Sequence, residues 1–258
     1  MNATLQPKVA KVTVRDLTMA YGKLVVMRDL NFEIQDRDIF VIMGGSGCGK
    51  STLLRHLIGL MEPAQGTILY GSEDFTAAAD REPFIRRFGV MYQSGALWSS
   101  LTLGENIAMP LEEAGKLPAS TVRDLVSYKL ALVGLAGYED FYPAQISGGM
   151  KKRAGIARAM ALDPDILFLD EPGAGLDPLS SRRLDDLILR LRDSQGSTIV
   201  IVTHELASIF NISNNALFLD SATHTQGALG NPGDLRDHSE NPAVRLFLNR
   251  GETPALPP

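Results

Sequence analysis

A mixed α/β fold, with a parallel core sheet covered by helices on both faces, is what the sequence predicts. Two features carry that expectation. Three short, almost wholly apolar runs, Ile39 to Met43, Ile166 to Leu169 and Ile199 to Val202, are too short for helices and rich in β-branched residues. Helical patterns separate them, and strands apolar on both faces belong to parallel sheets buried between helices. Composition agrees with a globular chain: 258 residues, 45% hydrophobic and 21% charged, values that exclude disorder, collagen and coiled coil. A chain of this length buries roughly 70 to 75% of its unfolded surface, so its core needs no disulfide or metal.

Along the chain, the first thirty-odd residues alternate, with Val12 and Val14, then Phe32 and Ile34, on one side. That pattern predicts antiparallel strands with one wet face. The strand Ile39 to Met43 leads into a helical segment from Thr52 to Leu60, and Gly89 to Tyr92 reads as a further strand. Between Glu105 and Tyr142 no apolar strand run occurs, and Leu125, Leu130, Leu132, Val133 and Leu135 predict helices, so a helical insertion is placed at about 100–160. The clearest helix runs from Leu179 to Ser194, with Leu184, Leu187, Ile188 and Leu191 at i, i+3, i+4 and i+7 and Gly196 as its stop. After Thr225 the chain turns rich in Gly, Pro and Asn, with one short apolar piece at Val244, Leu246, Phe247 and Leu248. The expectation is one domain over 1–248 and a Pro-rich tail over 249–258, whose GETPALPP cannot form a core.

The formal charge is −5, from 25 Lys and Arg against 30 Asp and Glu, and offers no basic field for collecting nucleic acid. Cys48 is the only cysteine, which excludes an intrachain disulfide and a cysteine-based zinc cage and favours a reducing compartment. No run approaches ~18 apolar residues, and the N-terminal stretch has no continuous apolar h-region. The chain is therefore expected neither to span a membrane nor to be exported by a cleaved signal.

The residues that carry chemistry begin at Gly44-Gly45-Ser46-Gly47-Cys48-Gly49-Lys50-Ser51, which fits G-x-x-x-x-G-K-[ST] between a strand and a helix. Glycines let backbone N–H groups turn toward phosphate oxygens, and the helix N-terminus adds partial positive charge. Lys50 is placed on the β- and γ-phosphates and Ser51 on Mg²⁺. Asp170-Glu171 closes the strand Ile166 to Leu169, at the carboxyl edge where open α/β sheets bind ligands. Asp170 is expected to hold Mg²⁺ through its water shell, and Glu171 to orient and polarise the water that attacks the γ-phosphate. His204, after the strand Ile199 to Val202, emerges on the same edge and can donate to the γ-phosphate or to that water. Gln93 can reach Mg²⁺ or the water through its amide oxygen. Ser147 is a helix N-cap, and Gly148 and Gly149 open a helix whose free N–H groups form a second anion site.

Ile146 to Arg153, ISGGMKKR, resembles the LSGGQ signature of ATP-binding cassette ATPases, with Ile146 and Met150 as departures. The resemblance covers about Val12 to Leu248 with its parts in the family's order. Gly44 to Thr52 resembles Walker A, Gln93 the Q-loop, Ser147 to Met150 the signature, Ile166 to Glu171 Walker B, Gly175 to Pro178 the D-loop and His204 the switch histidine. Tyr21 resembles the aromatic that stacks on adenine, and Asp177 stands in the D-loop. The resemblance implies an α/β P-loop ATP-binding cassette with a mixed core sheet, an N-terminal antiparallel β part and a helical insertion. It implies ATP and Mg²⁺ as ligands and a homodimer in which each ATP lies between one chain's cradle and the other's signature.

Tyr92 to Trp98 and ISGGMKKRAGIARAMALDP are most similar to the ATPases of MCE-type lipid transporters, the maintenance-of-lipid-asymmetry (Mla) kind. That resemblance implies phospholipid or other hydrophobic cargo, two multi-pass permease subunits, MCE-domain subunits, in some members a STAS-domain protein, and a peripheral place on the cytoplasmic side of the inner membrane. A small-solute importer would have much the same ATPase. Trp98, the only Trp, is expected either at the contact with the permease or in the core of the helical insertion. Cys48 is expected to be partly accessible within the cradle, so that its alkylation abolishes ATP binding. Asn241 to Leu248 is expected to dock on its own domain or to strap the partner chain.

Overall fold

Each of the three apolar runs is a central strand because neither of its faces can meet water. The structure, a computed structural model, describes residues 10–93, 95–115 and 117–249. In it β3 (Ile39–Gly44), β7 (Ile166–Asp170) and β8 (Thr198–Val202) stand side by side and parallel, flanked by β6 (Phe88–Met91) and β9 (Asn215–Asp220), also parallel, and closed by β10 (Thr225–Gly230) antiparallel to β9. The sheet order is β10-β9-β3-β8-β7-β6. A second sheet, in the order β2-β1-β4-β5, joins β1 (Val12–Tyr21), β2 (Leu24–Ile34), β4 (Gln65–Tyr70) and β5 (Glu73–Asp74), all antiparallel.

Period-two alternation divides β3 between two cores. Phe40 and Ile42 face the antiparallel sheet and α1 (Lys50–Leu57), where Val12, Leu17, Phe32, Leu53 and Leu57 meet them. Ile39, Val41 and Met43 face the other layer. There α6 (Pro178–Gln195) lays down Leu184, Leu187, Ile188 and Leu191, each at 2% exposure or less and each contributing about 1.5–3 kcal/mol relative to exposure. Asp177 caps this helix by accepting from the amides of Leu179 and Ser180, and Gly196 ends it in the left-handed region.

Other short helices complete the chain: α2 (Glu82–Ile85), α7 (Leu206–Ile212), α8 (Pro232–His238) and α9 (Pro242–Leu248). The region between β6 and β7 holds α3 (Leu103–Glu113), α4 (Ala119–Leu132) and α5 (Gly148–Ala159), packed on the core through Leu103, Ile107, Leu130 and Ile156. The expected helix from Thr52 starts two residues earlier, at Lys50, and ends at Leu57. The stretch after Thr225 holds more order than its composition predicts: β10 is an edge strand of half-exposed residues, and edges need no apolar run. α9 buries Val244 and Leu248 against its own domain, and the Phe247 ring lies 5.4 Å from that of Phe218. In the single chain this segment docks on its own domain. Apart from Asn249, the expected Pro-rich tail lies outside the described residues. Among the described residues no helix is long and apolar enough to cross a membrane.

The loop entering α3 hangs on one side chain. Asn106 is fully buried, accepts from the Trp98 amide at 2.7 Å and shares its own amide protons among the carbonyls of Trp98, Leu101 and Thr102. That loop holds Trp98 outward at 55% exposure, so the alternative placement in the core does not hold. Asn106→Ala leaves several buried backbone groups unpaired and is expected to lower stability by about 2 kcal/mol or more, read as a shifted urea midpoint with an unchanged slope.

Candidate active site

The backbone turns sharply at the end of β3 because Gly44 has no side chain. A Cβ there would stand 2.6 Å from the Leu219 carbonyl oxygen and 2.7 Å from Cys48 Sγ. Cys48 fills the space that Gly44 leaves, and it is only 2% exposed, turned into the core. This corrects the expectation of an accessible thiol: the cradle presents its backbone to the cleft and sends this side chain the other way. Burial pushes the Cys48 thiol pKa up, with Lys50 acting weakly against it.

The loop from Gly44 delivers the first turn of α1. Lys50 Nζ donates to the carbonyls of Gly44 and Gly45, both at 2.9 Å, and Ser51 Oγ donates to Asp170 Oδ1 at 3.2 Å. Together with Tyr21, Gly45, Ser46, Gly47, Gly49, Thr52, Gln93, Glu171 and His204 they line a cleft of about 730 Å³. Leu24, Val26 and Phe247 add apolar wall. The Tyr21 ring is half exposed, its hydroxyl 3.4 Å from Thr52 Oγ1, and that contact lowers its pKa.

At the end of β7 the chain places two carboxylates differently. Asp170 is half-buried, and loss of water raises its pKa while the Ser51 hydroxyl works against the shift. Glu171 adopts a positive φ of 48°, its amide donating to the Val202 carbonyl at 2.8 Å. Its Oε1 lies 2.8 Å from His204 Nδ1, while Oε2 is buried with no protein partner. A carboxylate with one oxygen held and one acceptor free can orient a water molecule. Ser51 and Asp170 present neighbouring hard oxygens, the donor set that suits Mg²⁺, which keeps waters and phosphates as its other ligands.

One polar group at this edge escaped the sequence reading. Lys152 belongs to a stretch that reads as a basic solvated face, yet it is 8% exposed, and its ammonium donates to the carbonyls of Gln93 and Glu171, the latter at 3.2 Å. Desolvation lowers its pKa, against the pull of Glu205, Glu171 and Asp170. Its spacing of four residues before buried Ile156 was the available signal.

The expected site residues fall into two groups. Tyr21, Gln93, Asp170, Glu171, His204 and the cradle residues other than Cys48 lie in or directly beside the cleft. Ser147, Gly148, Gly149 and Asp177 do not line it. Ser147 caps α5 by accepting from the Met150 amide at 3.3 Å, and Gly149 packs toward Ser180 of α6. The Asp177 carboxylate, exposed, is occupied in capping α6, where Ser180 lowers its pKa.

The sequence profile described as ABC transporter matches residues 27 to 174. The probable ribonucleotide transport ATP-binding protein mkl of Mycobacterium leprae is 39% identical over 245 residues, 94% of this chain and 70% of that one. The intermembrane phospholipid transport system ATP-binding protein MlaF of Haemophilus influenzae is 38% identical over 210 residues, 81% and 80% of the two chains. Among solved structures, the dimeric post-hydrolysis state of the ATP-binding cassette MJ0796 bound to ADP and Pi superposes with a TM-score of 0.76 at 26% identity, covering 85% of this chain and 98% of that one.

Burial makes a kinetic statement about Cys48. In the native protein at pH 7, N-ethylmaleimide is expected to modify it at least about tenfold more slowly than in denaturant, because the thiolate is both suppressed and covered. Mass spectrometry over time checks this, and equal rates in the two states would contradict the buried placement.

Proposed function

This chain belongs to the ABC transporter family, as an ATP-binding subunit that hydrolyses ATP, and from that premise we propose that two copies clamp two ATP molecules and drive phospholipid transport through a separate permease. Glu171 carries the catalytic half of this reading: it lines the cleft beside the cradle, His204 holds its Oε1, and its buried Oε2 has no protein partner.

The roles follow from position. The amides of the Gly45–Gly49 turn and the first turn of α1 receive the phosphates. Lys50, now bonded to two carbonyls of its own loop, exchanges them for the more strongly charged β- and γ-phosphate oxygens. Tyr21 stacks on adenine against the wall of Leu24 and Val26. Glu171 orients the attacking water and polarises its O–H bond. His204 keeps Glu171 in that aim, and its exposed edge is free to meet the γ-phosphate. Ser51, Asp170 and Gln93 would hold Mg²⁺, which would supply charge neutralisation to the phosphates. Ser147, Gly148 and Gly149 form a second anion-binding helix tip, outside the chain's own cleft and exposed at Ser147 and Gly148. A partner chain's γ-phosphate is the ligand that fits it, and Asp177 stands nearby at the seam.

For the permease, two adjoining hollows sharing Pro110 and Leu162 are lined by Tyr92, Ala96, Arg158 and Ile85, with several apolar side chains exposed. Trp98, five residues after Gln93 in the chain, is also exposed. A short apolar helix of a membrane subunit fits there, which would place the chain peripherally on the cytoplasmic side of the inner membrane. MCE-domain subunits, and a STAS-domain protein on the ATPase, complete the proposed assembly. Phospholipid cargo rests on the likeness to the phospholipid transport ATPase, which spans four fifths of both chains. A second reading, a small-solute importer, is favoured by the ribonucleotide transport relative.

Two experiments test the proposal. Glu171→Gln is expected to lower kcat by at least about 100-fold and to trap ATP-bound dimers visible by gel filtration with Mg²⁺; turnover near wild type removes Glu171 from catalysis. For cargo, the complex purified through this subunit and reconstituted in proteoliposomes is expected to move labelled phospholipid in an ATP-dependent way. ATPase stimulation by a ribonucleotide or another polar solute, with no lipid movement, selects the second reading.

A further inference from the structure

Helix α5 carries at its N-terminus the tip Ser147 to Gly149, exposed at Ser147 and Gly148, and one turn inside it the buried Lys152. The two carbonyls that accept from the Lys152 ammonium belong to Gln93 and Glu171. Those residues follow β6 and β7, neighbouring parallel strands with Met91 paired to Leu169, and both line the nucleotide cleft. A single cation thus ties one helix to both loops that bear the water-orienting side chains. The joint is tight, since a Cβ on Gly155 would stand 2.7 Å from the Gly95 carbonyl oxygen, which leaves α5 no room to slide against the loop after Gln93.

The Glu171 backbone also needs such a tie. Its φ of 48° is a conformation that non-glycine residues rarely hold unless the surroundings fix it. The Val202 carbonyl takes its amide, while Lys152 and the Ala174 amide both donate to its own carbonyl. Removing the ammonium frees one side of that peptide and the Gln93 carbonyl together. Packing alone does not account for a charge here. Among the described residues Lys152 forms no direct ion pair, and an uncharged side chain of its length would fill the same space without losing water.

We propose that Lys152 is a positioning residue for ATP hydrolysis, coupling the placement of the α5 tip to the backbones of Gln93 and Glu171 and so to the aim of their side chains. The inference rests on the roles given above to Glu171 and Gln93. It implies that seating a phosphate on the tip of α5 is felt in the same chain's own cleft, through four residues of helix and two hydrogen bonds.

The test is steady-state ATP hydrolysis by the full chain with Mg²⁺, for Lys152→Met, Lys152→Gln and Lys152→Arg, with Glu171→Gln alongside. Lys152→Met is expected to lower kcat about 10- to 100-fold while KM for ATP stays within about twofold, the pattern of a misplaced catalytic group. Lys152→Arg, which keeps charge and donors, is expected to recover most of the rate. Wild-type kcat in folded Lys152→Met, or a rise in KM that accounts for the loss, overturns the proposal. Should Lys152→Met fail to fold by circular dichroism, Lys152→Gln takes its place, and failure of both to fold assigns Lys152 to stability and also overturns it. If Glu171→Gln keeps turnover, the catalytic reading fails and takes this inference with it; if Glu171→Gln is dead while Lys152→Met is fully active, only the role of Lys152 falls.

Discussion

The molecule depends on one constraint: a strand buried on both faces must end, within a single residue, in a loop that shows its backbone to solvent. At Gly44 the approaches of the Leu219 carbonyl and Cys48 Sγ leave no volume for a Cβ. A larger residue there would push the loop off β9, and the start of α1 would move with it. Lys50 and Ser51 are the first two residues of that helix, so their reach toward Gly45 and Asp170 is set by where β3 stops. The chemistry of the cleft is in this sense a consequence of core packing, and core packing tolerates little displacement.

Electrostatics at the same edge balance what the packing brings together. Asp170, Glu171 and Glu205 converge, and three carboxylates at the end of one sheet would repel each other if nothing opposed them. Lys152 opposes them from within, and Lys50 from the side of the cradle. Loss of water is the largest cause of the raised Asp170 pKa, and the neighbouring Glu171 charge adds to it. Carboxylates gathered at this edge, beside outward-turned amides and a lysine that donates to carbonyls of its own loop, suit the divalent ion and polyphosphate proposed above.

What the sequence made legible follows physical strength of signal. Strands Ile39–Gly44, Ile166–Asp170 and Thr198–Val202 stand out because both faces are buried, which leaves Asp170 and Thr198, at strand ends, as their only polar side chains. The cradle stands out because close approach of backbone to backbone leaves glycine as the residue that fits at Gly44. β10 did not stand out, because an edge strand with intermediate burial at nearly every position has no periodic pattern to display. Cys48 was misplaced for a different reason: motif membership says which segment faces the ligand and not which side of it each side chain takes. Lys152 was hidden by its type, since lysines are seldom buried, and its true surroundings are backbone carbonyls, which no sequence pattern reports.

Carbonyls are also what unite helix α5 with the rest. Arg153 donates to the carbonyls of Val133 and Gly134, Lys152 to those of Gln93 and Glu171, and Arg158 to that of Ala96. Three cations of one helix therefore bind the helical region after α4, the two loops of the cleft, and the loop that borders the hollow beside Tyr92 and Pro110. Long side chains on a helix ordinarily lie in water, where they constrain nothing; here their heads are fixed on main-chain atoms of three separate segments. A rigid-body displacement of α5 cannot leave these segments behind without breaking charge-assisted hydrogen bonds, each stronger than a neutral one. The helix tip, the nucleotide cleft and the apolar hollow are thus joined to one another by hydrogen bonds from the cations of α5.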